Sequence, residues 1–125
     1  MRKFRILIAD DQKRARDSLK ALISTWERAG ELKEAVNGLE AIGQSQIFDP
    51  DIILMDARMF KLDGIQAAHI IKQTKPNVKI IIVSMFPDYD LQASQISVDA
   101  FVSKGESPER LLAVIQLISA GIEVE

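Results

Sequence analysis

The sequence predicts an α/β protein built as a doubly wound parallel sheet with helices on both faces, and three observations carry that expectation. Short apolar runs rich in Ile and Val alternate with longer segments of helical period along the 125 residues. The run Ile80-Ile81-Ile82-Val83 shows no polar alternation, the pattern of a strand covered by helices on each side. Four of the runs also lead into polar residues: Phe4 to Ala9 into Asp10 and Asp11, Ile52 to Met55 into Asp56, Ile80 to Val83 into Ser84, and Ala100 to Val102 towards Lys104. As parallel neighbours they would gather those side chains on one sheet edge, where open α/β folds place their ligands.

The elements follow in order. Phe4 to Ala9 reads as the first strand. Ala15, Leu19, Leu22, Ile23 and Trp26 line one face of the first helix, and the basic run Lys13-Arg14-Ala15-Arg16 reads as its solvated face. Asn37-Gly38-Leu39-Glu40 and Asp63-Gly64-Ile65-Gln66 have the outline of capping boxes and open the second and third helices. Between them Ile52 to Met55 forms a strand, and Ile80 to Val83 forms the next. Residues 90–96 are the weakest helix, because their polar residues and Ser94 give little propensity. After the strand Ala100 to Val102, Ser107 precedes Pro108 at a first-turn position with Glu109 beside it. Leu111, Val114, Ile115 and Ile118 then repeat the apolar stripe as far as Ala120. Strand and helix alternating five times over imply right-handed crossovers and a parallel sheet. Residues 1–121 read as one domain, and residues 122–125 as a tail or the start of a linker.

Composition excludes several classes. Apolar residues make up 47% and charged residues 27%, the balance of an ordinary globular domain of this length. A formal charge of -2 gives no global attraction to nucleic acid or anionic membrane, so no direct nucleic-acid contact is expected. Without cysteine there is neither a disulfide framework nor a thiolate metal site. Arg2 and Lys3 precede an apolar run stopped by Asp10, which is too short for a signal peptide or a membrane span. The expected address is cytoplasmic.

The residues at the predicted edge have a chemistry. Asp10, Asp11 and Asp56 brought close together would repel one another unless a cation sits among them. Oxygen-only ligands of that charge suit Mg²⁺, which commonly brings phosphate oxygens with it. A carboxylate beside such an ion can act as a nucleophile toward phosphorus, the role expected of Asp56. Lys104 could neutralise a second phosphoryl oxygen and Ser84 could donate a hydrogen bond to a third. Each residue also has a plainer explanation. An acidic pair after a strand can be a helix cap, Ser84 a strand-end hydroxyl bonded to backbone, Lys104 a solvated lysine and Phe101 plain core. Their joint order favours a site. His69 reads as a helix residue with no role, Trp26 as core, and Met55, Met59 and Met85 as packing.

Over essentially its whole length the chain resembles the receiver domain of bacterial two-component response regulators. Asp10-Asp11 matches that family's acidic pair, Asn37-Gly38-Leu39-Glu40-Ala41 its second-helix entry, and the stretch from Asp56 through Asp63-Gly64 its phosphoacceptor loop, while Ser84, Phe101 and Lys104 match the remaining site and switch positions. The resemblance implies a flavodoxin-like sheet of order 2-1-3-4-5 with five helices. It implies phosphorylation of Asp56 by a histidine kinase or phosphotransfer protein, with Mg²⁺ held by Asp11, Asp56 and the backbone carbonyl of Arg58, and Asp10 acting largely through water. Ser84 and Phe101 would move together and alter a remote face, allowing a homodimer on phosphorylation.

Several positions depart from the family pattern. Phe60 stands where Pro is usual, removing a fixed φ from the loop after Asp56. Gly105 follows Lys104 where many members have Pro. Met85 and Arg58 are bulkier than the residues common beside the site, which predicts narrowed access for attacking water and slow autodephosphorylation. A phosphatase of the haloacid dehalogenase type would need a second Asp where Arg58 stands, and a flavin or nucleotide carrier would need a Gly/Ser/Thr-rich phosphate loop that no strand precedes. The expected output is a DNA-binding domain of helix-turn-helix type attached beyond the last helix. The alternative is a stand-alone receiver that binds a target protein.

Overall fold

Strand and helix alternate from the first apolar run onward, and the computed structural model describes residues 2–85 and 98–121. The elements are β1 (Phe4–Ala9), α1 (Lys13–Ile23), β2 (Ala29–Ala35), α2 (Gly38–Ile47), β3 (Ile52–Asp56), α3 (Gly64–Thr74), β4 (Lys79–Ser84), β5 (Ala100–Ser103) and α4 (Pro108–Ser119). The five strands form one parallel sheet in the order β2-β1-β3-β4-β5. That is the predicted doubly wound topology. The helix expected over residues 90–96 and the tail at 122–125 lie outside the described residues.

Period-2 alternation in the strands sorts the core onto two faces. Leu7, Ile53, Met55, Ile80 and Ile82 point to the side covered by α2 and α3, where Ala41, Ala67, Ala68 and Ile71 meet them. Ile6, Ile8, Leu54, Ile81 and Val83 point to the other side, against Ile23 of α1 and Leu111, Val114, Ile115 and Ile118 of α4. Most of these side chains are fully buried, each worth about 1.5–3 kcal/mol of transfer free energy. Burial on both faces explains why β1, β3 and β4 read as continuous apolar runs. The edge strand β2, Ala-Gly-Glu-Leu-Lys-Glu-Ala, is half polar because one of its sides meets solvent.

Three helix starts form as their sequences dictate. Asn37, Asp63 and Ser107 each accept a hydrogen bond from the backbone N–H three residues on, Glu40, Gln66 and Arg110. Glu40 reaches back to the N–H of Val36 at 3.3 Å, one residue before the cap. Helix α1 starts differently: Gln12 stands at its cap with no side-chain hydrogen bond. Trp26, expected on the α1 stripe, lies in the turn beyond the helix. It is nonetheless core, stacked on Phe4 with ring centroids 5.5 Å apart. Gly121, at φ 80, follows the last helix in the left-handed conformation that glycine tolerates.

Candidate functional site

Parallel register brings the strand ends level. Ala9 pairs with Met55, so Asp10 stands beside Asp56, and Asp56 pairs with Val83, so Ser84 comes one residue further on the next strand. Ser84 pairs with Ser103, and the Lys104 N–H donates to the Ser84 carbonyl at 2.7 Å. The predicted gathering of Asp10, Asp11, Asp56, Ser84 and Lys104 at one edge is therefore the arrangement found.

The three carboxylates form one cluster, each offering an oxygen within 4.8 Å of the others. Asp10 is 1% exposed. Its Oδ1 accepts from the Gln12 N–H at 2.9 Å and its Oδ2 from Lys104 Nζ at 2.9 Å. Lys104 also lies 3.6 Å from Asp56 Oδ1, so one ammonium bridges two acids. Capping does not account for the pair, since the cap of α1 is Gln12 and the Asp11 carboxylate makes no hydrogen bond to a described residue. Lys104, with its side chain 22% exposed, is equally far from the solvated lysine that its isolated position allowed.

Charge is concentrated here beyond what one lysine balances. Burial, and then the negative charge of Asp10, push the Asp56 carboxyl up to about 6, against the pull of Lys104 and of a hydrogen bond from the Arg58 backbone, with Asp11 adding a smaller upward push. Burial opposes the charge of Lys104, but its hydrogen bond to Asp10 and the field of Asp56 prevail and raise its pKa. Three hard oxygen donors around a half-screened negative centre fit a divalent cation such as Mg²⁺.

The loop carrying Asp56 is held by a close approach that the sequence reading treated only as helix capping. A Cβ built on Gly64 would lie 1.8 Å from the Asp56 backbone oxygen, and one on Gly38 would lie 2.1 Å from that of Leu62. Glycine at both positions lets α2 and α3 start directly against the loop. The Gly64 N–H donates to the Ala57 carbonyl at 2.8 Å, closing the loop. Within it Lys61 adopts φ 70, beside Phe60, which is 74% exposed. Arg58 and Met85 are exposed, at the rim of the edge. Phe101 is half-buried and packs against the α2–α3 side of the core. No cis peptide bond occurs among the described residues.

With a parallel 2-1-3-4-5 sheet whose strand ends converge on an acidic cluster and a lysine, the class is defined, and comparison with known proteins agrees. The response regulator receiver domain family matches residues 6–116, and the chain belongs to that family. It is a regulatory rather than a catalytic family. The chain is 29% identical over 119 residues to the transcriptional regulatory protein LnrK of Bacillus subtilis, covering 94% of this chain and 54% of LnrK. It is 33% identical over 115 residues to the uncharacterised transcriptional regulatory protein YhcZ of the same organism, covering 90% and 54%. The chain thus spans about half the length of the curated relatives it matches. Its structure superposes on a two-component response regulator of the LuxR family from Aurantimonas with a TM-score of 0.92 at 27% identity, covering 98% of this chain and 89% of that one. No helix among the described residues is long and apolar enough to cross a membrane.

Proposed function

We propose that this domain is a phosphorylation-activated switch that accepts a phosphoryl group on Asp56 from a histidine kinase or phosphotransfer protein. The observation that carries the reading is the cluster itself: three carboxylates with oxygens within 4.8 Å, one of them Asp56 with its carboxyl at about 6, and a lysine reaching two of them. Asp11, Asp56 and the backbone carbonyl of Arg58 would hold Mg²⁺, with Asp10 acting largely through water. The ion would supply charge neutralisation for the incoming phosphoryl oxygens and keep Asp56 ionised.

The chain's own groups do the rest. An Asp56 carboxylate oxygen forms the bond to phosphorus as the bond from phosphorus to the donor nitrogen breaks, and that nitrogen leaves with the electron pair. Lys104 Nζ, already 3.6 Å from Asp56, turns to a phosphoryl oxygen, and the Ser84 hydroxyl donates to another. Phe101 then changes rotamer and alters the face around β5 and α4, which supports homodimerisation. Residues 1–121 constitute this switch, and residues 122–125 are a tail or begin a linker. We assign the output to a DNA-binding domain elsewhere in a longer protein, which is supported by the names and the greater length of the relatives. The domain itself, with a net charge of -2, is not the part that meets DNA.

The test is incubation with acetyl phosphate, with and without Mg²⁺, followed by intact mass. One phosphoryl group is added, only with Mg²⁺, and none in Asp56→Asn. Addition without the cation, or undiminished addition in Asp56→Asn, overturns the assignment. A reading frame that stops at Glu125 would replace the attached output with a stand-alone receiver binding a target protein.

A further inference from the structure

The basic run of α1 reads in sequence as a solvated face, and for Lys13, with its side chain 79% exposed, it is one. Arg16 departs from that pattern. Its side chain is only 13% exposed, its Nε donates to Glu34 Oε1 at 2.9 Å and its Nη1 donates to the backbone carbonyl of Asp10 at 2.9 Å. One planar guanidinium thus joins a helix, the edge strand β2 and the first acid of the cluster.

We propose that Arg16 is a positioning residue for the cation site, bracing the Asp10 carbonyl against Glu34 and so fixing the peptide plane from which Asp11 departs. This rests on the reading that the acidic cluster holds Mg²⁺. The carbonyl of Asp10, the N–H of Asp11 and the Asp11 Cα belong to one rigid planar unit, so holding the oxygen fixes the point from which the Asp11 side chain leaves the backbone. Asp10 itself is tied at every polar group: its N–H to the Ala35 carbonyl at 3.0 Å, its carboxylate to Gln12 and Lys104, its carbonyl to Arg16. Asp11 has no such ties. Its carboxylate makes no hydrogen bond to a described residue, so its place in the cluster comes from the backbone alone.

The brace is anchored at its far end too. Glu34 Oε2 accepts from Lys20 Nζ at 3.1 Å, so two cations one helical turn apart on α1 clamp both oxygens of one carboxylate. Hydrogen bonding by Lys20, outweighing the burial that opposes it and aided by Arg16, holds the Glu34 carboxyl below its usual value. Glu34 is level with Ile8 in β1, two residues before Asp10. Only a forked side chain can serve the carbonyl and the carboxylate together, because a lysine ammonium lacks the fixed spacing between donors.

The experiment measures Mg²⁺ binding to the whole domain by calorimetry, with Mg²⁺ alone, beside thermal unfolding in EDTA. Groups that orient ligands from outside the coordination shell are worth roughly tenfold or more in metal affinity, so Arg16→Met is expected to bind Mg²⁺ about tenfold more weakly. Arg16→Lys should fall between Arg16→Met and the unaltered protein. Glu34→Gln, which leaves the Asp10 carbonyl contact but takes the charge from its anchor, should weaken binding by about threefold, a part of the effect of removing the arginine. A folded Arg16→Met that melts earlier yet binds Mg²⁺ with unaltered affinity overturns the proposal, since the arginine would then be structural only. If Arg16→Met does not fold, unaltered affinity in Glu34→Gln overturns it instead. Failure of the unaltered domain to bind Mg²⁺ would overturn the cation-site reading beneath it, a result separable from variants that match a binding parent.

Discussion

Replacing Asp56 with Asn should stabilise the metal-free domain, by an amount that depends on pH in a defined direction. Burial and the neighbouring acids raise the folded pKa of Asp56 from 3.8 to about 6. Between those values the folded protein keeps a proton that the unfolded chain has released, so stability falls as pH rises through the window and levels off above it. With the side chain 11% exposed, a shift of that size corresponds to about 3 kcal/mol in total. About half of this, roughly 1.4 kcal/mol, develops between pH about 5 and pH about 7.5. Asn carries no titrating group, so the advantage of Asp56→Asn over its parent should grow by that amount across the same interval. Urea unfolding in EDTA at the two pH values measures it, with the slope on denaturant checked for constancy. Saturating Mg²⁺ should restore the parent at the higher pH and leave Asp56→Asn nearly unchanged. An advantage that is equal at both pH values, or that shrinks as pH rises, would refute the claim that charge crowding costs the fold stability at this position.

Three other perturbations have definite outcomes. Lys104→Met removes the ammonium from Asp10, which is 1% exposed, and breaking a buried pair on one side should cost about 3 kcal/mol in EDTA, measured by urea midpoint. Gly64→Ala places a Cβ 1.8 Å from the Asp56 carbonyl oxygen, so the loop must move, with about 3 kcal/mol lost and acetyl-phosphate labelling slowed. Met85→Ala should shorten the life of the phosphorylated form by opening a way for water, and decay within seconds in the parent, unchanged by the substitution, would reject slow autodephosphorylation.

The parts legible in the sequence were those where burial is symmetric or chemistry is local. β1, β3 and β4 stood out because helices cover both faces, leaving no polar alternation. The caps at Asn37, Asp63 and Ser107 follow from contacts spanning three residues, and spacing alone predicts them. β2 left no apolar run because an edge strand exposes one side, and the helix at 90–96 falls outside the described residues. The site residues emerged from their order at strand ends, which parallel pairing converts into proximity. Arg16 was hidden because its partners, Asp10 just past the end of β1 and Glu34 within β2, are 6 and 18 residues away in sequence and meet it only in the fold. Lys13, three residues away in the same basic run, carries the same charge and faces water. In sequence, Gly38 and Gly64 are distinguishable only as helix-start residues. Their need for empty space becomes visible only when Leu62 and Asp56 are placed against them.

The stack of Trp26 on Phe4 sits at the opening residue of β1, whereas Asp10 follows its last. Six residues of extended chain separate the two by about 20 Å. As the single indole of the protein, buried and far from the strand ends, Trp26 is expected to report global melting by its emission and to respond little to cation titration. Fluorescence can follow the denaturation curves without correction for occupancy, and following occupancy itself optically calls for a second fluorophore engineered near the strand ends.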